Sequence, residues 1–188
     1  LCKKLEIPTM VRDVEFRNLI SSYIRINRDE YMKEKVFLDI EGNIIDTVAD
    51  YFSSHMENGY ISLLNYNAFS SLPILKLEWN VFLLDAIISK SNRFDLFQGS
   101  VIDRRYVRTI VAEKGRYSSF SELVRDLLIK RGKYTISERE LKDILMINNL
   151  HAGKIPTEII NSDLFSYEDD VWHIVKECGE EQQDNVFK

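Results

Sequence analysis

The sequence predicts a mostly α protein with small β-hairpins, an α+β arrangement. Two tandem helix-turn-helix units, each followed by a hairpin, are expected after an N-terminal helical pair. Three observations predict it. Apolar residues recur at helical spacing through much of the chain. The order helix, strand, short helix, helix, strand, loop, strand can be read twice in succession. And 188 residues with 45% hydrophobic and 29% charged side chains are ordinary globular usage, which excludes collagen-like, disulfide-dense and low-complexity chains.

Residues 1–40 are expected to form the helical pair. Pro8 marks a loop, and the run from Val14 to Ile24 then places Phe16, Leu19, Ile20, Tyr23 and Ile24 on one stripe. A second short helix is expected from Asp29, with Tyr31, Met32, Val36 and Phe37 as its apolar positions. Packing is the role expected of both.

Residues 41–115 read as the first unit. Ile44, Ile45, Val48, Tyr51, Phe52 and Met56 recur at helical spacing, and Asn58-Gly59 ends the helix because glycine takes the left-handed conformation readily. Tyr60 to Tyr66 is expected as a short strand, and Asn67 to Leu72 as one helical turn before Pro73. The segment from Leu77 to Lys90 is an apolar helix. Phe94 to Phe97 and Tyr106 to Glu113 are expected strands, joined by a loop holding Gly99, Asp103, Arg104 and Arg105.

Residues 116–176 repeat the order with clearer punctuation. Ser119-Phe-Ser-Glu122 and Ser137-Glu-Arg-Glu140 are capping boxes, in which a serine accepts an orphan amide and a glutamate reaches back. Gly132 ends the first of these helices, and Pro156 suits the opening turn of another. Leu164 to Tyr167 and Val171 to Val175 flank Glu168-Asp169-Asp170 as a hairpin. Residues 177–188 are expected as an acidic, flexible tail. Both units are therefore expected to be winged-helix-like, a helix-turn-helix followed by a β-hairpin wing.

Ser121-Glu-Leu-Val, Ser137-Glu-Arg-Glu-Leu, Gly153-Lys-Ile-Pro and Asp170-Val-Trp-His-Ile resemble the winged-helix modules of the delta subunit of bacterial RNA polymerase and related helix-turn-helix modules. The resemblance covers about sixty residues and rests on pattern. It implies a transcription- or DNA-associated binding module without catalysis. The first unit carries no clear match to that family.

Charge separates the two units. The whole chain carries 25 Lys/Arg against 30 Asp/Glu, a net −5. From 116 to 188, ten basic residues stand against fourteen acidic ones, and the hairpin Glu168-Asp169-Asp170 would repel phosphate. Residues 1–115 carry fifteen against sixteen. Between Ile88 and Ser118, however, Lys90, Arg93, Arg104, Arg105, Arg108, Lys114 and Arg116 face only Asp95, Asp103 and Glu113. Phosphate contact needs such a cluster. The competing reading is a solvated face whose arginines pair with acids elsewhere. In the second unit, Lys154, Thr157 and Asn161 are the lesser candidates for groove contacts.

Signals for catalysis are absent from the sequence. No P-loop, His-Glu-x-x-His, Gly-x-Ser-x-Gly or paired Cys-x-x-Cys occurs, and seven glycines form no phosphate cradle. His55, His151 and His173 fall in separate elements without ligand spacing. Asp163, Glu168, Asp169 and Asp170 are better explained by turn chemistry than by a cation site. Glu140-Leu-Lys142 matches a nuclease-like spacing, but on a capped helix residues two apart diverge by about 200°. Trp79 and Trp172 read as core anchors.

The expectation is thus a non-enzymatic, nucleic-acid-associated module without cofactor or metal, its candidate contacts being Lys90, Arg93, Arg104, Arg105, Arg108, Lys154, Thr157 and Asn161. The alternative is a protein-interaction or scaffolding module that touches no DNA. Expected partners are DNA and either a protein or the remainder of a longer parent chain, since the sequence begins at Leu1. Neither a membrane nor a small-molecule substrate is expected. Cys2 and Cys178 are read as free thiols of a reducing cytoplasm rather than one long-range disulfide.

Overall fold

The computed structural model describes residues 21–56, 58–102, 105–151 and 153–175, with the backbone alone for 98–102 and 105–106. The chain divides into two compact units between Tyr117 and Ser118. The first contains β1 (Tyr23–Asn27), β2 (Glu30–Lys33), α1 (Glu34–Glu41), α2 (Ile44–His55), β3 (Tyr60–Ser62), a 3-10 turn (Phe69–Ser71), α3 (Val81–Ile88), β4 (Phe94–Ile102) and β5 (Arg105–Glu113). The second contains α4 (Phe120–Lys130), β6 (Thr135–Ser137), α5 (Glu138–Ile147), α6 (Thr157–Ile160), β7 (Phe165–Glu168) and β8 (Val171–Ile174).

The described residues thus form a mixed α+β architecture, with six α-helices and three small antiparallel sheets. This corrects the expected fold class, a mostly α chain of tandem winged-helix-like units preceded by a helical pair. Where the first expected helix was to end and the second to begin stands a β-hairpin, β1 against β2, with Ile24 opposite Met32 and Arg25 opposite Tyr31, and the second helix starts only at Glu34, as α1. The reason is periodicity. Ile24 and Ile26 are buried while Tyr23 and Arg25 are half-buried, a two-residue alternation that a pleated strand satisfies. The stripe read as helical shares Tyr23 and Ile24 with that alternation. Most of the expected Val14–Ile24 helix lies outside the described residues, as do the expected tail at 177–188 and both cysteines.

Strand content was also underestimated between 94 and 113. β4 and β5 pair in unbroken register from Phe94 opposite Glu113 to Ile102 opposite Arg105, so Gly99, expected in a loop, stands in the ladder opposite Arg108. β3 pairs only with residues 110–112 of β5. The sheet order is β3-β5-β4, and its far end is a two-stranded arm.

In the first unit Ile24, Phe37, Val48, Phe52, Leu83, Leu84, Ile87, Ile88 and Val111 share one core. Six of the eight residues of α3 are buried, because β1 packs across it on one side and α2 and β5 on others. Each fully buried Leu, Ile or Phe there contributes about 2 kcal/mol of transfer free energy. Asn80 caps α3, its Oδ1 accepting from the amides of Phe82 and Leu83 at 3.0 Å each, while its Nδ2 donates to Ile26 O at 2.9 Å. One side chain therefore starts the helix and ties the hairpin to it.

The second unit has the sheet order β6-β8-β7. Ser119 and Ser137 cap α4 and α5, each accepting the amide three residues on, Glu122 N at 3.1 Å and Glu140 N at 3.2 Å. β7 and β8 are joined by Asp169-Asp170, with φ of 49° and 63°. Positive φ at both central residues is what a type I′ hairpin turn requires. Phe120, Leu123, Val124, Leu128, Leu141, Leu145, Ile159 and Trp172 are buried in this unit.

Candidate functional site

The basic run from Lys90 to Arg116 is the densest cluster of chemistry that the sequence offers, and its residues are largely engaged. Lys90 Nζ lies 2.6 Å from Glu34 Oε2 and 2.5 Å from Ser21 O. Arg93 Nη1 meets Asp50 Oδ1 at 2.5 Å, and Arg108 Nε meets Asp85 Oδ1 at 3.1 Å. Lys114 pairs with Asp95, whose other oxygen accepts Gly115 N–H at 2.7 Å. Arg116 pairs with Glu113 at 2.7 Å. Five of the seven basic residues are thus neutralised by acids drawn from α1, α2, α3, β4 and β5. The sixth, Arg104, lies outside the described residues, and the seventh, Arg105, opens β5 at the end of the two-stranded arm.

A helix that reads the major groove must present its side chains to solvent. In the first unit α3 does not, being sheathed by β1. Arg25 Cζ stands 4.1 Å from the Phe82 ring centroid, a cation–π contact closing that seam. Asp85, midway along α3, is 9% exposed. Burial pushes its carboxyl above the usual carboxylate range, and Arg108 first, then Arg25, draw it back. This buried acid between two arginines was missed in the sequence, where Asp85 showed only as an interruption of an apolar run.

In the second unit Lys154, Thr157 and Asn161 are all exposed. Thr157 opens α6, which is four residues long, and Lys154 and Asn161 lie before and after it. It is anchored from beneath by Ile159 and by Ser121 Oγ, which donates to Glu158 O at 2.7 Å. Thr157 Oγ1 is 3.5 Å from the Glu158 carboxylate, an acid that disfavours a phosphate beside this hydroxyl. Lys154 N–H donates to His151 Nδ1 at 3.1 Å. Burial holds His151 below its ordinary value, which favours the neutral ring that can accept that bond.

Beside these residues α5 turns a surface to solvent. A groove of about 430 Å3 is lined by Glu138, Arg139, Lys142, Asp143, Met146 and Gly153. Met146 and Ile147 at the end of α5 are 50% and 73% exposed. Both signs of charge line the groove together with the Met146 thioether, a composition of protein-contact surfaces more than of phosphate sites.

Among the described residues, no group of three or more His, Cys, Asp or Glu side chains is placed to hold a metal ion. The Tyr167 hydroxyl lies 3.2 Å from an Asp170 carboxylate oxygen and 3.1 Å from one of Glu138, and its single proton is donated to one of them at a time. No helix among the described residues is long and apolar enough to cross a membrane. No protein-family model matches the chain, and no curated protein or solved structure matches it either.

Proposed function

We propose that this chain is a non-enzymatic interaction module whose surface contacts are made to protein, within a cytoplasmic transcription- or DNA-processing system. The pairing of Lys90, Arg93, Arg108, Lys114 and Arg116 with acids carries this reading. A phosphate approaching any of them must displace a carboxylate already in place, so little counterion remains to be released. The acidic turn at Asp169-Asp170 and the mixed groove on α5 support it from the second unit. The transcription setting rests on the resemblance of residues 116–176 to the polymerase delta-subunit modules, and the cytoplasmic setting on the expectation from the sequence that Cys2 and Cys178 are free thiols.

A second reading keeps direct nucleic-acid contact. The β4–β5 arm runs past the three-stranded part of its sheet to its last pair, Ile102 opposite Arg105, and a two-stranded ribbon fits a groove of duplex DNA. Titration of the whole chain with labelled duplex and single-stranded DNA, at low and moderate salt, separates the two. Protein contact predicts no binding at low salt. Low-salt binding that R104E/R105E abolishes would establish the arm as the interface and replace the first reading.

A further inference from the structure

We propose that the outer edge of β4 is a self-association site, at which two copies of this chain pair β4 against β4 in antiparallel fashion. The strand is nine residues long, against three to five for every other strand at a sheet edge. Among the described residues its outer side pairs with nothing. Exposed edges of that length are ordinarily blunted by lysine, proline, a bulge or an inward charge. β4 has none of these. Its pairing with β5 shows no register shift, and its sequence Phe-Asp-Leu-Phe-Gln-Gly-Ser-Val-Ile carries one charge. That charge, Asp95, is already held by Lys114 and by the amide of Gly115.

The strand's own sequence argues for a second copy rather than an unrelated peptide. Pairing about a two-fold axis through Gln98 uses all nine residues. Phe94 then faces Ile102 of the second copy, Asp95 faces Val101, Leu96 faces Ser100 and Phe97 faces Gly99. Only Gln98 meets its own counterpart. No like charges stand at opposed positions, and in this register an aromatic residue stands opposite a β-branched one and another opposite the glycine, pairings that favour strand association. A two-fold contact of this kind closes as a dimer and leaves no repeating edge.

The test is sedimentation velocity of the whole chain over a wide concentration range. A reversible monomer–dimer equilibrium is expected. Q98K and Q98E should each weaken dimerisation by about fivefold or more, since each sets like charges opposite at the axis. Mixing the two variants should restore it. V101K should strengthen it, by bringing a lysine opposite Asp95 of the second copy. Unchanged far-UV circular dichroism certifies the fold of each variant. A chain monomeric at every concentration overturns the proposal, as does a dimer indifferent to all three substitutions. A monomer that instead captures an extended peptide on β4 overturns it equally.

Discussion

Asp85 costs the first unit stability that Arg108 gives back. Its folded carboxyl ionises less readily than the unfolded one because burial outweighs Arg108 and Arg25. The sign follows from linkage. A raised folded value contributes stability that is complete below the ordinary carboxylate value of 3.8 and is lost as pH rises through the raised one. Removing Arg108 leaves the acid buried with less compensation. Arg108→Met is therefore expected to destabilise the chain by about 2 kcal/mol at pH 7, below the range for a wholly buried pair because more than a third of the arginine side chain is exposed. Near pH 4 the loss should be smaller, since the raised Asp85 carboxyl takes up its proton at higher pH than an ordinary carboxylate does. Urea unfolding at the two pH values checks this. Equal losses at both would mean that the contact is steric.

At the scale of elements, Asn80 separates two jobs that its side chain performs together. The Oδ1 caps α3 and the Nδ2 holds the hairpin through Ile26 O. Asn80→Asp keeps an N-cap acceptor but has no donor for Ile26. Asn80→Ala loses both. The expected costs are about 1 kcal/mol for the aspartate and about 2 for the alanine, read as urea midpoints, with faster amide exchange in β1 for both variants. Equal costs would show that the hairpin is held by packing alone. Legibility in the sequence followed the same division between local and distant partners. Both capping boxes were readable because a serine and an amide three residues on need nothing else. Even there the glutamates diverged: Glu122 reaches the amide and hydroxyl of Ser118, and Glu140 pairs with Lys133. The hairpin β1–β2 was not readable, because Tyr23 and Ile24 continue the helical stripe of Phe16, Leu19 and Ile20 until α3 is known to pack against β1. The basic cluster was readable as a cluster. Its neutralisation was not, since Glu34 and Asp50 reach it from more than forty residues away.

The whole molecule carries one tryptophan in each unit, which makes its division measurable. Trp79 packs against the core of the first unit and donates to Pro73 O at 2.8 Å, while Trp172 is buried on β8 in the second. Trp79→Phe leaves fluorescence that reports only residues 118–188, and Trp172→Phe leaves fluorescence that reports only residues 1–117. The smaller unit buries a smaller share of its unfolded surface and has less stability to lose. Its denaturant dependence should also be shallower, because the slope scales with the surface exposed on unfolding. The expected outcome is two transitions, the Trp172 signal changing first and with the lower slope. Trp172→Phe should shift that transition, seen by circular dichroism, to still lower urea and leave the Trp79 transition where it was. A single shared midpoint with one slope for both signals would show that the two units unfold as one cooperative body. In that case the costs assigned above to Arg108 and Asn80 would be felt by residues 118–188 as well, and the Trp172 signal of the Asn80 variants would move with them.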